Sequence, residues 1–359
     1  MSCCDMDRPI PFRADRNAAR EAAISALVRS AIAIARGVRE RSPPADIAQK
    51  TWGREASRDV ALVMRSASAP AMTTQTGWAA EVAHVSQLFL ATLVPASAAA
   101  DLLGRGLQLT FAGAATISLP TLNLAPPAAF LGQGKPVAVT QYVSSVGASL
   151  VPHKFGVSVA MTHEMMTSSN AEMLLRNQLV VAASRGLDAA LFSANSETVD
   201  QPAGLLAGVV AKTPSASTIV TDAMVEDLSA LGGGVGRAAD TSSLVYVCAP
   251  EQALAVATNL PSFKYPLLSS AALPAKTVIA LATDTLVSAL EPVPEIVANS
   301  EAEVQFADPA SEIVTAGGTV AYPVGSMVQS DRVALRMIMP VAWVVRAPGA
   351  IAFMNAVVW

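Results

Sequence analysis

The sequence predicts an α+β protein, and three stretches carry that prediction. Residues 168–195, SSNAEMLLRNQLVVAASRGLDAALFSAN, read as one long helix. Residues 108–161 read as short β runs separated by turn residues. After the helix, strand and helix signals alternate to about residue 290, and the stretch from Asp331 onward returns to strand.

The helix has internal support. Ser169 and Glu172 stand in the S-x-x-E relation of a capping box. Leu175, Leu179, Ala183, Gly186, Leu187, Ala190 and Leu191 recur at three- and four-residue steps and form one apolar stripe. Glu172 with Arg176, and Arg185 with Asp188, are spaced for side-chain ion pairs along the helix. About 25 residues at 1.5 Å each make a rod of roughly 37 Å. Gly186 costs such a helix about 1 kcal/mol relative to Ala, so close packing against its backbone is expected.

In chain order, residues 14–41 come first, with Ile24, Leu27, Val28, Ala31, Ile34, Ala35 and Val38 on one helical face. Arg20, Arg29, Arg36 and Arg39 lie mostly on others, and Pro43-Pro44 stops the helix. Ile47–Met64 is a second, weaker helical stretch. Ser66–Gly77, SASAPAMTTQTG, is small, polar and breaker-bearing, a linker by composition. Trp78–Leu103 is helical again, interrupted at Pro95. The β-rich runs Thr116–Leu119, Pro136–Thr140 and Gly156–Ala160 are divided by Pro126-Pro127, Gly132-Gln133-Gly134 and Gly147. A two-stranded excursion of that length cannot bury its own faces and must lie on something else. Beyond the long helix, Asp222–Leu231 reads as a short helix and Leu244–Ala249 as a buried strand. A helix then opens at Pro250-Glu251. In Asp331–Phe353, alternation at Val333, Leu335, Met337 and Met339 predicts one buried strand face.

Composition narrows the class. The chain has 359 residues, of which 52% are hydrophobic and only 14% charged, against a usual ~25% charged. Either the chain enters a membrane or much of its surface is buried against copies of itself. No stretch of about 20 residues is continuously apolar, and Val278–Leu290 is short and carries Asp284, so subunit interfaces are the better explanation. Residues 1–65 hold 12 Lys/Arg against 8 Asp/Glu, while residues 66–359 hold 12 against 20. The acidic body argues against a DNA-gripping basic face. Cys3, Cys4 and Cys248 show no metal-ligand spacing and no even-numbered disulfide framework, which fits a reducing cytoplasm. The N-terminal residues lack the apolar run of a secretory signal.

Catalytic motifs fail one by one. His163-Glu164 begins H-E-x-x-H, but position 167 is Thr. His84 and His153 have no ligand-type neighbours in sequence. Leu231-Gly-Gly-Gly-Val-Gly-Arg237 lacks the Lys-Ser/Thr of a phosphate loop and puts Arg237 where a dinucleotide fingerprint needs a small residue, so it reads as a flexible turn. No G-x-S-x-G elbow is present. The reading is non-enzymatic, with no catalytic residues, metal or cofactor; a soluble α/β enzyme stays as the least favoured alternative.

The order of these elements resembles the major capsid proteins of tailed bacteriophages, the Hong Kong 97-type fold. The resemblance covers roughly residues 78–359. It rests on the strand to Pro120, Phe130-Leu-Gly-Gln-Gly-Lys-Pro136, the return past Lys154 to Val159-Ala-Met-Thr-His-Glu-Met-Met166, Gln201-Pro-Ala-Gly-Leu-Leu-Ala-Gly-Val209, and the closing Asp331–Phe353 stretch. The resemblance implies a helical N-terminal segment (1–65) that is either a scaffold-like, cleavable region or a retained arm. It further implies a linker and N-terminal arm (66–107), an extended loop (108–160), a peripheral domain (161–215 and 319–359) with its spine helix at 169–195, and an axial domain (216–318). Inter-subunit contacts are then expected at Phe130, Gln133, Lys135, Lys154, Arg176, Arg185, Asp331 and Arg332. Many relatives have an acidic residue near Gln133, and this chain does not. Isopeptide crosslinking through Lys135 with Asp331 as the acid is disfavoured, because no Asn lies between Asn299 and Asn355.

The implied function is self-assembly into an icosahedral shell enclosing double-stranded DNA, in a phage, prophage or phage-derived particle. Copies of the chain would be its main partners, as pentamers and hexamers, with portal, scaffold or prohead protease beside them and no membrane. The shell would assemble in the bacterial host cytoplasm. A nanocompartment shell of the same fold, enclosing protein cargo, is the alternative.

Overall fold

The computed structural model describes residues 13–66, 90, 93–111, 114–119, 148–168, 170–291, 295–305 and 324–359. Its helices are α1 (Arg13–Glu40), α2 (Pro44–Trp52), α3 (Arg54–Ser66), α4 (Ala98–Arg105), α5 (His163–Thr167), α6 (Ala171–Leu191), α7 (Val220–Ala239) and α8 (Pro250–Asn259). Its strands are β1 (Leu107–Thr110), β2 (Ile117–Ser118), β3 (Ser149–Leu150), β4 (His153–Thr162), β5 (Leu244–Cys248), β6 (Leu267–Ser269), β7 (Val278–Ala282), β8 (Leu286–Leu290), β9 (Glu295–Asn299), β10 (Glu303–Gln305), β11 (Val324–Ser326), β12 (Arg332–Val345) and β13 (Ile351–Met354). They form two compact units. Unit 1 comprises residues 1–92, 155–183 and 292–339; unit 2 comprises 93–154, 184–291 and 340–359.

In unit 1, β9 pairs antiparallel with the first half of β12, from Ala334↔Asn299 to Ile338↔Glu295. Val333, Leu335, Met337 and Met339 are all buried, so the alternation read from sequence is the core face of that strand. Val333 and Leu335 share a cluster with Met161 of β4, Met166, Leu175 and Leu179, and with Val28, Ala31, Ile32 and Ala35 of α1. The one apolar face expected over 14–41 is exceeded among the described side chains of α1: Ile32 and Ala33 are also buried, and Val38, expected on the apolar face, is exposed. The second helical stretch divides at Gly53, whose φ of +95° suits glycine alone, into α2 and α3. The expected linker at 66–77 lies beyond the described residues after Ser66.

In unit 2, four strands run in the order β13-β7-β5-β6. Every residue of β5 and β7 is buried, as strands covered on both faces require. α7 packs on this sheet through Ala223, Met224, Leu228, Leu231 and Val235. The expected turn at 231–237 is instead the continuation of α7. Tertiary packing overrides glycine's poor helix propensity there. A Cβ on Gly232 would lie 2.0 Å from the Tyr246 hydroxyl oxygen, so glycine lets the helix sit directly on β5. The helix ends at Asp240, in the left-handed conformation, with its N–H on the Gly236 carbonyl.

The second half of β12 pairs with β8 in unit 2, from Val341↔Leu290 to Val345↔Leu286. Its change of partner falls at Pro340, which has no N–H to give to a ladder but accepts from Glu291 N at 3.1 Å. β1 runs parallel to β8 on its other side. β2 and β3 pair antiparallel through Ile117↔Leu150 and Ser118↔Ser149. They close the base of the sequence excursion; its outer part, including the expected strand 136–140, lies outside the described residues.

Candidate assembly surfaces

The division between the two units falls inside α6 and β12. Leu175, Leu179, Ala183, Leu187 and Leu191 of α6 are buried at four-residue steps. The outer side carries Met173, Leu174 and Val181, with Met173 64% exposed, beside Asn177 and Gln178. Gly186 is exposed, so the close packing expected at its backbone is not made by the described residues.

The two ion pairs expected along α6 are replaced by longer-range partners. Glu172 takes Arg29 of α1, Nε to both carboxylate oxygens at 3.0 and 3.2 Å. Asp188 is buried. Its Oδ1 accepts from the Ser97 hydroxyl and from Ala99 N (3.0 Å), and its Oδ2 from the Ser270 hydroxyl (2.5 Å). One carboxylate thus caps α4, with Ser97 also taking Ala100 N at 3.0 Å, and ties in the loop after β6. Ser169, the expected capping-box partner of Glu172, lies outside the described residues.

Unit 2 presents its own apolar surface. Val225, Leu228 and Gly232 of α7 face Tyr246, Phe263 and Tyr265 across a groove of about 400 Å³. The three rings pack edge-to-face or tilted at 5.2–6.0 Å. Tyr246 Oη donates to the Leu228 carbonyl at 2.9 Å. Burial pushes the Tyr246 phenol and the neighbouring Cys248 thiol up to about 12 each. Neither is poised as a nucleophile at neutral pH. Val199 and Val210 stand out at 95% and 85% exposure on the stretch between α6 and α7. Among the described residues, no group of three or more His, Cys, Asp and Glu could hold a metal ion, and no helix is long and apolar enough to cross a membrane.

Of the residues expected at subunit contacts, Phe130, Gln133 and Lys135 lie outside the described residues. Lys154 and Arg185 are exposed, and Arg176 and Arg332 are half-buried. Asp331 is exposed at a positive φ of 49° and accepts a hydrogen bond from Arg39, which raises that guanidinium's pKa further. Sequence reasoning missed the apolar outer face of α6 and the aromatic groove. The first was signalled by Met173-Leu174 beside the Leu175 stripe. The second joins positions from Val225 to Tyr265, forty residues apart, that no local pattern links.

No family model matches the chain, and no curated protein matches it. Solved structures similar to it include a Mycobacterium phage Adephagia chain (13% identity, 71% of this chain and 89% of that one, TM-score 0.47). Others are a chain of the satellite phage P4 procapsid with its size-determination protein (11%, 85% and 98%, 0.47) and one of the capsid of an empty GTA particle (14%, 72% and 90%, 0.46).

Proposed function

We propose that this protein is a major capsid protein, assembling with copies of itself into the icosahedral shell of a tailed phage, prophage or phage-derived particle. The carrying observation is the order of elements around α6. A long excursion closed at its base by β2 and β3 returns through β4 into α5 and the spine helix; an α/β lobe follows, then β12. Unit 1 would serve as the peripheral domain, and the β13-β7-β5-β6 sheet with α7 and α8 as the axial lobe. The apolar outer face of α6 and the scarcity of charge support extensive contact between copies. Lys154, Arg176, Arg185, Asp331 and Arg332, with Phe130, Gln133 and Lys135 of the loop, are proposed contacts. Heterologous contacts of this kind close into rings of five and six. The acidic body would hold enclosed DNA loosely, and portal, scaffold and protease would complete assembly in the host cytoplasm.

Negative-stain microscopy with light scattering on the full chain tests this. Closed shells tens of nanometres across, or five- and six-membered rings, are expected. Monodisperse monomers at high concentration with crowding agent would overturn the proposal. Nuclease-protected nucleic acid inside particles from the native source would separate a DNA-filled shell from a nanocompartment with protein cargo.

A further inference from the structure

We infer that the N-terminal helical segment remains bound to the rest of unit 1 even when the chain joining them is cut, because α1 over residues 27–37 is an interior element of that unit and cannot act as a detachable scaffold. Retention of the segment is a property of the chain by itself, whether or not the protein builds shells.

Val28, Ala31, Ile32 and Ala35 of α1 share one cluster with Met166, Leu175, Leu179, Val333 and Leu335. From another side of the same helix, Ala33 packs with Ala48 of α2 and Val60 of α3. A helix that is apolar on more than one side belongs in an interior, whereas a removable surface helix keeps one broad polar face. Its departure would lay bare an apolar strip on α5, α6 and β12.

Three arginines then fix the register. Arg29 holds both oxygens of Glu172 at the start of α6, and its guanidinium lies 5.9 Å from the centroid of the Trp52 ring. Arg36 Nε donates to the Met166 carbonyl at 3.1 Å, near the end of α5, where helix carbonyls lack intrahelical partners. Arg39 donates to Asp331, in the turn before β12. Partly exposed ion pairs are each weak. Here they share one helix and reach three separate parts of unit 1, so sliding α1 by one turn breaks all three together. Apolar burial supplies the affinity and the arginines supply the alignment.

The test places a specific protease site between Ser68 and Thr73 in the full chain, cuts the folded protein, and follows both fragments by gel filtration in 0.15 M and 1 M NaCl. The fragments are expected to co-elute at both salt concentrations and to separate only in denaturant. An N-terminal fragment that elutes alone, leaving a body with unchanged circular dichroism, would overturn the inference. Charge reversal tests the register in the same cut protein. Arg29→Glu and Glu172→Arg should each speed fragment release about tenfold, the equivalent of about 1.4 kcal/mol. The two together should restore slow release, and failure to restore it would overturn the assigned register.

Discussion

At the scale of single residues, Asp188 is the most exacting position. Its carboxylate answers three donors from α4 and from the loop after β6, all out of water. Asp188→Ala leaves the Ala99 N–H and two hydroxyls without their acceptor. Buried orphan groups cost about 1–3 kcal/mol each before relaxation. The expected loss is about 3 kcal/mol, read as a lower urea midpoint with an unchanged slope, and Asp188→Asn should lose less. Cys248 makes a different prediction, one about pH. Burial raises its thiol from 9.0 to about 12, so the folded state holds the proton more tightly than the unfolded chain does. Unfolding therefore releases a proton once the pH passes about 9. The stability from keeping this thiol neutral is complete below pH 9 and declines as pH climbs toward 12. Its slope is about 1.4 kcal/mol per pH unit. Urea midpoints for wild type and Cys248→Ala at pH 8 and 10.5 check this: the wild type should fall more steeply with pH.

At the scale of elements, α7 shows where local reading of a sequence stops. Four glycines between 232 and 236 and the following Arg237 look like a loop when only near neighbours are weighed. The reason for Gly232 is Tyr246, which reaches it through the tertiary fold alone. Gly232→Ala should cost about 1–3 kcal/mol as overpacking. Removing the obstructing oxygen with Tyr246→Phe should recover part of it, giving a favourable coupling in a double-mutant cycle. Nonadditivity of the opposite sign would mean that the helix simply moves away. The same boundary between local and long-range information runs through the molecule. The stripe of α6 and the alternation of β12 were legible, because each is a period of one element against one core. The partners of Glu172 and Asp188 were not, because Arg29 stands 143 residues away and Ser97 stands 91 away. The candidate surfaces were legible in kind, through scarce charge, but not in place. What separates an outward Met173 from an inward Leu175 is the position of the body, which the spacing of apolar residues does not contain.

At the scale of the whole molecule, assembly turns small surface changes into large effects. Met173 and Val181 point outward from α6, so replacing them with Glu removes little that holds the monomer together. Surface substitutions of this kind usually shift stability by no more than about 0.5 kcal/mol. In a shell each copy makes several contacts at once, and a penalty at each is multiplied before it reaches the concentration at which shells form. Two contacts weakened by about 1.4 kcal/mol each raise that concentration about 100-fold. Met173→Glu/Val181→Glu should therefore keep the circular dichroism and urea midpoint of the wild type while its light-scattering threshold rises by about that factor. Sulfate, which strengthens apolar burial, should lower the threshold of the wild type and only partly rescue the variant. Sodium chloride up to 1 M should do little to the wild type, since a surface with so few charges has little to screen. A variant that assembles at the wild-type concentration would show that the outer face of α6 turns away from every neighbour. The apolar contacts between copies would then have to come from the aromatic groove and from the exposed valines at 199 and 210 in unit 2.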